Sequence, residues 1–221
     1  MNLVTTPTRI NVGCGSSPTA GWLNYDNSFT VRISRHTRVV SLAARLHLLS
    51  DAQKTFARVA AQTPIAWANV TRRIPAPDDS VDMVYSSHMF EHLDTEAADA
   101  FLLEVLRVLL PGGILRLAVP DLAILAAEYA STGDCDTFIA RTHLARSRPR
   151  TPAAKVRAVL VGERGHAWMY DAASLVRRLT KHGFTDAQVM PAGETTIPEP
   201  GRLDLREREE ESLYVEAKKS M

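Results

Sequence analysis

Short apolar runs alternate along the chain with longer segments of helical spacing. Arg9-Ile10-Asn11-Val12 reads as a buried strand running into Gly13-Cys14-Gly15, and Trp22-Leu23-Asn24-Tyr25-Asp26 as a second strand ending on a carboxylate. Another strand is predicted over 80–87, centred on Val81-Asp82-Met83-Val84-Tyr85. Over 95–110, Ala98, Phe101, Leu102, Val105, Leu106 and Leu109 recur at intervals of three and four, which predicts an amphipathic helix stopped by Pro111-Gly112-Gly113. A strand over 114–119 then ends at Pro120-Asp121, and a short amphipathic helix over 174–182 closes on Gly183. Strands over 184–190 and 213–217 complete the pattern.

Strands alternating with helices predict an α/β fold whose mostly parallel sheet is covered on both faces. Ligands in such folds bind beyond the carboxyl ends of the strands, where Gly13, Asp26, His88 and Asp121 all fall. No repeat, low-complexity tract or linker interrupts the pattern, so one domain is expected over 1–221.

Composition adds bounds. With 221 residues, 45% of them hydrophobic, the chain can bury a core without staples. Cys14 and Cys135 lie far apart without metal-type spacing, which argues against a disulfide framework and for a reducing cytoplasm. The first nine residues are short and polar, and no stretch has the length of a membrane span. The net charge of +1 conceals an asymmetry, because 27–62 holds six basic residues and one acidic, and 137–162 six basic and none acidic. Aromatic residues make up only 6% and do not interleave with basic ones, so nucleic acid is not an expected partner.

A glycine turn after a strand suits dinucleotide, nucleotide and S-adenosylmethionine (SAM) sites alike. A dinucleotide fingerprint needs a third glycine where this chain has Pro18, and a helix N-terminus for the pyrophosphate. Only about ten residues separate Gly15 from Asp26, too few for an ordinary crossover helix and the second strand. SAM has no phosphate, and its ribose hydroxyls suit a carboxylate at Asp26.

Together with that turn and Asp26, the segments Ser87-His88-Met89-Phe90-Glu91-His92-Leu93 and Leu106-Arg107-Val108-Leu109-Leu110-Pro111-Gly112-Gly113 resemble class I SAM-dependent methyltransferases. Val119-Pro120-Asp121-Leu122, Gly165-His166-Ala167-Trp168-Met169-Tyr170-Asp171 and Ser212-Leu213-Tyr214-Val215-Glu216-Ala217 are similar to a bacterial subgroup of small, type 11-like methyltransferases. The resemblance implies a Rossmann-like seven-stranded sheet of order 3-2-1-4-5-7-6 with strand 7 antiparallel. It further implies that Gly13, Cys14 and Gly15 flank the methionine part of SAM, that Asp26 with Asn27 beside it meets the ribose, that Asn69 and Val70 lie near the adenine, and that His88 lines the cofactor pocket. The absent first crossover helix departs from that family's pattern.

Since the sulfonium makes the methyl group electrophilic, the protein has to supply alignment, desolvation and, for a hydroxyl acceptor, a base. His166 is the first candidate base, with Tyr170 beside it and Asp121 as a possible substrate contact. Each has a structural alternative: His166 could satisfy a buried carbonyl, and Asp121 and Asp171 could cap the helices that follow them. His88-x-x-Glu91-His92 puts three potential metal ligands on one predicted helical face, with His166 as a distal fourth. That string resembles the Glu-x-x-Glu-His motif of metal-dependent methyltransferases and the H-x-x-E-H of some zinc peptidases. The reading adopted is metal-free, with the Glu-His pair fixing its helix against the sheet.

With few residues before the first strand, the roof over the substrate is expected from 28–62 and 122–164, the two basic segments. Val39, Leu42, Ala43, Leu46 and Leu49 repeat at helical spacing in the first, with Arg38, Arg45 and His47 off that face. Packed as a helical lid, the two would bring positive charge toward an anionic substrate; solvated faces or contact with an anionic membrane surface are the alternatives. The expected activity is methyl transfer from SAM to a small-molecule or glycan-type acceptor, at oxygen. The competing readings are a non-methylating rearrangement or elimination on the same fold, and a non-catalytic SAM-binding module.

Overall fold

The computed structural model describes residues 8–45, 49–144 and 165–221. Seven strands form one sheet: β1 (Arg9–Val12), β2 (Leu23–Asp26), β3 (Ile65–Trp67), β4 (Val81–Ser87), β5 (Leu109–Pro120), β6 (Phe184–Met190) and β7 (Ser212–Lys219). Their order is β3-β2-β1-β4-β5-β7-β6, and β7 runs antiparallel between β5 and β6, as the resemblance implied. Among the described residues the helices are α1 (Phe29–Ser34), α2 (Thr37–Arg45), α3 (Asp51–Gln62), α4 (Thr95–Val108), α5 (Leu122–Thr132), α6 (Cys135–Thr142) and α7 (Ala172–Lys181), with one 3-10 turn at Phe90–His92. Among the described residues, no helix is long and apolar enough to cross a membrane.

Strand alternation sends neighbouring side chains to opposite faces. Val84, Leu115, Leu117 and Val215 pack on one face under Ala98, Phe101, Leu102 and Val105 of α4 and Leu175 and Leu179 of α7. Both helices start at aspartate caps: Asp94 accepts from the Ala97 amide, and Asp171 and Ser174 form a reciprocal capping box. On the other face lie Met83, Tyr85 and Ile114. No helix joins β1 to β2, so that face is covered instead by Trp22 and by Ile197 and Leu203 from the connection between β6 and β7. Arg9 ties this connection down by donating to the carbonyls of Glu199 (2.7 Å) and Pro198 (3.2 Å). A second anchor is the fully buried ion pair of Arg116 and Glu216, which face each other across β5 and β7 at 2.6 Å.

Segment 28–62 is the β2–β3 crossover: Val31 of α1 and Phe56 and Ala60 of α3 pack on Cys14 and Ile65. The apolar repeat predicted within it divides. Leu49 is buried, whereas Val39 and Leu42 on α2 are 47% and 58% exposed; Leu46 and His47 lie outside the described residues. So do residues 145–164 of the second basic segment, and with them most of its charge.

Two local expectations are corrected. β5 begins at Leu109 rather than 114, because the β4–β5 register jumps from Val81↔Leu109 to Met83↔Ile114 and the intervening Pro-Gly-Gly is absorbed as a bulge. Gly113 is compressed there: an added Cβ would lie 2.9, 3.1 and 3.2 Å from the carbonyl oxygens of Leu110, Val81 and Asp82. Gly113→Ala is therefore expected to destabilise the fold by about 1–3 kcal/mol; an unchanged urea midpoint would show that the bulge relaxes freely. Arg107 and Glu104, which read as solvated helix positions, instead hold the loop after β3. Arg107 donates to Glu104 (2.7 and 2.9 Å), Asp78 (2.7 Å) and the carbonyls of Ile74 and Ala76 (both 3.0 Å).

Candidate functional site

The turn after β1 folds back on β2, with the Gly13 and Cys14 amides both donating to the Tyr25 carbonyl at 2.8 and 3.2 Å. Gly13 and Gly15 have left-handed backbones, φ +67° and +49°. A Cβ on Gly13 would sit 2.4 Å from Cγ of Met89, so this position is backed by the segment after β4. A Cβ on Gly15 would enter open space, its nearest neighbour being the Gly13 carbonyl at 4.0 Å. Asp26 is oriented from both sides, accepting from the Gly15 amide at 3.1 Å and the Ser28 amide at 2.7 Å. An open glycine cradle beside a pinned carboxylate fits the methionine and ribose parts of SAM.

The other predicted cofactor residues occupy less uniform places. The Cys14 side chain points into the α1–α3 core, and burial, reinforced by the Asp26 charge, pushes its thiol up to about 12. Asn27 is exposed at the end of β2, where its carbonyl accepts from the Trp67 indole at 2.9 Å. The side-chain oxygen of Asn69 is engaged locally by the amide (3.3 Å) and hydroxyl (2.8 Å) of Thr71, and Val70 is buried in the core.

Beyond the ends of β4 and β5 lies a cavity of about 280 Å³. His88, Glu91 and His92 line it from the segment after β4, Asp121 from the end of β5, and His143 and His166 from the far side. His88 does not start a helix, contrary to the single helical face predicted for this string. Its left-handed backbone, φ +47°, turns the chain before the 3-10 turn. Its Nε2 donates to the Ser212 hydroxyl at 2.9 Å, since that hydroxyl itself donates to the Glu207 carbonyl at 3.0 Å. Glu91 is buried to 1% exposure, and neither of its carboxylate oxygens has a hydrogen-bond partner. Its Oε1 lies 3.5 Å from His88 Nδ1, 3.8 Å from His92 Nε2 and 3.9 Å from His166 Nε2.

Of the predicted catalytic residues, His166 is best placed. Its ring meets those of His92 and His143 edge-on, both at 5.1 Å between centroids, and its amide donates to the His143 carbonyl. Burial lowers its pKa below the ordinary imidazole value, against the opposing pull of Glu91 and with smaller contributions from His92 and His143. Asp121 lines the cavity while also capping α5 through the Ala123 amide at 2.9 Å. Tyr170 is not on the cavity wall: it stacks on Phe90 at 5.2 Å in the core, and burial pushes its phenol up to about 12. A phenol held neutral in that way is no base at physiological pH.

Sequence reading passed over His143, Arg141, Arg208 and Glu211, which also line the cavity. Arg141 is paired with Glu128, and Arg208 lies 3.6 Å from Glu211. None belongs to a motif. Arg208 and Glu211 sit in a run of charged residues that reads as solvated surface, and only the β6–β7 connection brings them to the site.

Residues 10–117 match the model of a methyltransferase domain family. Among solved structures, a SAM-dependent methyltransferase from Methanosarcina mazei superposes with a TM-score of 0.52 at 17% identity, covering 99% of this chain and 95% of that one. One from Mesorhizobium loti superposes with a TM-score of 0.50 at 16% identity, covering 99% and 94%. At these identities the likeness is one of fold. No curated protein sequence matches the chain.

Proposed function

Since residues 10–117 belong to the methyltransferase domain family and the chain is a SAM-dependent methyltransferase, we propose that it methylates a hydroxyl of a small-molecule or glycan-type acceptor held in the histidine-lined cavity. The observation that carries this reading is the neutral, buried imidazole of His166 at the cavity wall, next to the strand ends where SAM is expected. A carboxylate acceptor needs no base, whereas a hydroxyl benefits from one whose pKa lies near or below neutrality. SAM supplies an electrophilic methyl group and a thioether leaving group that takes the C–S electron pair. On the protein side, His166 Nε2 takes the hydroxyl proton as the oxygen–carbon bond forms. Leu125 and Ile124 give the lining an apolar stretch, and Arg141 and Arg208, each beside a carboxylate, are the lining cations that an anionic acceptor would meet.

Incubation with labelled SAM and a panel of hydroxylated acceptors, with and without phosphate or carboxylate groups, tests the reading by formation of S-adenosylhomocysteine and labelled ether. Transfer confined to amines, or none to any hydroxyl, would sink it. For an active acceptor, the acid limb of kcat/KM is expected below 6.5, the ordinary imidazole value, because a base of lowered pKa stays deprotonated to lower pH. His166→Ala should remove that limb along with about 100-fold or more of kcat; a limb left in place would assign it to another group.

A further inference from the structure

We propose that Glu91, His92 and His166 form a binding site for a zinc-like divalent cation in the cavity. Glu91 poses the problem that such an ion solves. A carboxylate at 1% exposure with two unpartnered oxygens is costly unless a positive charge meets it. The side chains that do meet it are imidazoles, and each presents a lone pair.

The orientation of each ring follows from its outer nitrogen. His92 Nδ1 faces the Gly165 carbonyl at 3.1 Å and His166 Nδ1 faces the Met169 sulfur at 3.3 Å. A carbonyl and a thioether only accept, so both protons sit on Nδ1 and both Nε2 lone pairs point toward Glu91. His88 is fixed the other way round: Nε2 donates to Ser212, and the Nδ1 lone pair, 3.5 Å from Glu91 Oε1, is without a hydrogen-bond partner. Three imidazoles, each tethered by its outer N–H to an acceptor and aiming its free nitrogen at one buried carboxylate, make the arrangement that outer-shell partners impose on metal-binding histidines.

The scaffold holds the two halves of the set together. The Glu91 carbonyl accepts from the Ala167 and Trp168 amides at 2.7 and 3.1 Å, which locks the segment carrying His166 to the 3-10 turn. The ligand atoms of Glu91, His92 and His166 lie within 4.8 Å of one another. Zinc–nitrogen and zinc–oxygen bonds of about 2.0–2.2 Å in a tetrahedral site place ligand atoms about 3.3 Å apart. The observed 3.8 and 3.9 Å from Glu91 Oε1 to the two Nε2 atoms are reached from there by small side-chain rotations. Two imidazole nitrogens with one carboxylate oxygen favour zinc and its neighbours over magnesium or calcium, which take oxygen ligands.

Because such an ion would take the His166 Nε2 lone pair, the imidazole base would act only in the metal-free protein; in the loaded one the ion would lower the pKa of an oxygen acceptor entering the cavity. That task rests on the reading of the cavity as the acceptor site; the cation site itself does not. The test uses the full chain without an affinity tag, dialysed against a chelator, then titrated with zinc chloride by calorimetry and with cobalt chloride by visible absorption. One equivalent of zinc and the visible bands of tetrahedral cobalt are expected. Glu91→Gln, His92→Ala and His166→Ala, each checked for folding by circular dichroism, should weaken zinc binding at least 100-fold, while His182→Ala, at the C-terminal cap of α7 beside Asp99, leaves it unchanged. Absent binding, or binding that none of the three variants moves, would overturn the proposal. Failure to bind zinc with hydroxyl methylation intact refutes only the cation site, and zinc binding without hydroxyl methylation refutes only the acceptor reading.

Discussion

Glu216→Ala is expected to destabilise the protein by about 3–5 kcal/mol, because it leaves the Arg116 guanidinium buried and without its counter-charge. For a chain of this size that is a fall in Tm of roughly 6–20 °C. The Glu216 carboxylate also accepts from the Thr195 hydroxyl (2.5 Å) and from the amide and hydroxyl of Thr196 (2.7 and 2.6 Å), so the same change frees the start of the β6–β7 connection from the sheet. A double variant, Arg116→Met with Glu216→Leu, should recover most of the loss, since it removes both charges together. If the double variant were as unstable as the single one, the destabilisation would lie in lost packing and not in the stranded charge. Thermal denaturation of the three proteins decides.

The same pair sets a pH dependence. Burial alone would raise the Glu216 pKa, but the hydrogen bonds from Thr195, Thr196 and Arg116 outweigh it and hold the folded value below the ordinary carboxylate one. A carboxylate depressed in the folded state contributes stability that is complete above its unfolded pKa, about 4.3, and is lost as pH falls through the lower folded value. Between pH 6 and 3 the wild type should therefore lose more stability than the double variant; parallel curves would exclude Glu216 as the cause.

Asp26→Ala is expected to weaken SAM binding roughly 10–150-fold, the equivalent of losing about 1.5–3 kcal/mol of hydrogen bonding to a charged group. The proposed ribose contact disappears, and so do the acceptors for the Gly15 and Ser28 amides that shape the glycine turn. Asp26→Asn, which keeps one carbonyl oxygen, should fall between. Calorimetric titration with SAM or S-adenosylhomocysteine is the measurement. An alanine variant with affinity within twofold of wild type would mean that the ribose is held elsewhere.

Much of the frame is legible in one dimension because it rests on local physics. The alternation at Val81–Tyr85 and the three-and-four spacing from Ala98 onward encode a strand and the helix that packs on it, and both form there, the helix ending at Val108. The absence of a β1–β2 helix follows from chain length alone, since ten residues cannot hold an ordinary crossover helix and its turns. Boundaries were less legible at 109–113, where proline and glycine stop a helix in sequence but form a bulge once β4 lies alongside.

By itself, then, the sequence determined six of the seven strands, the helices α4 and α7, the glycine turn and the carboxylate at the end of β2, because each depends on neighbours close in the chain. Three things were decided only by tertiary structure. The polar connection 191–211, unremarkable in composition, covers the sheet face left bare by the missing helix, because Arg9, Arg116 and Glu216 reach it across the sheet. Tyr170 moved from candidate chemistry into the core because its ring packs on Phe90, a contact 80 residues away. And His88, Glu91 and His92 meet His166 around one buried carboxylate because a left-handed turn, not a helix, follows β4. Long-range packing sets the direction of each of those side chains, and spacing along the chain carries no record of it.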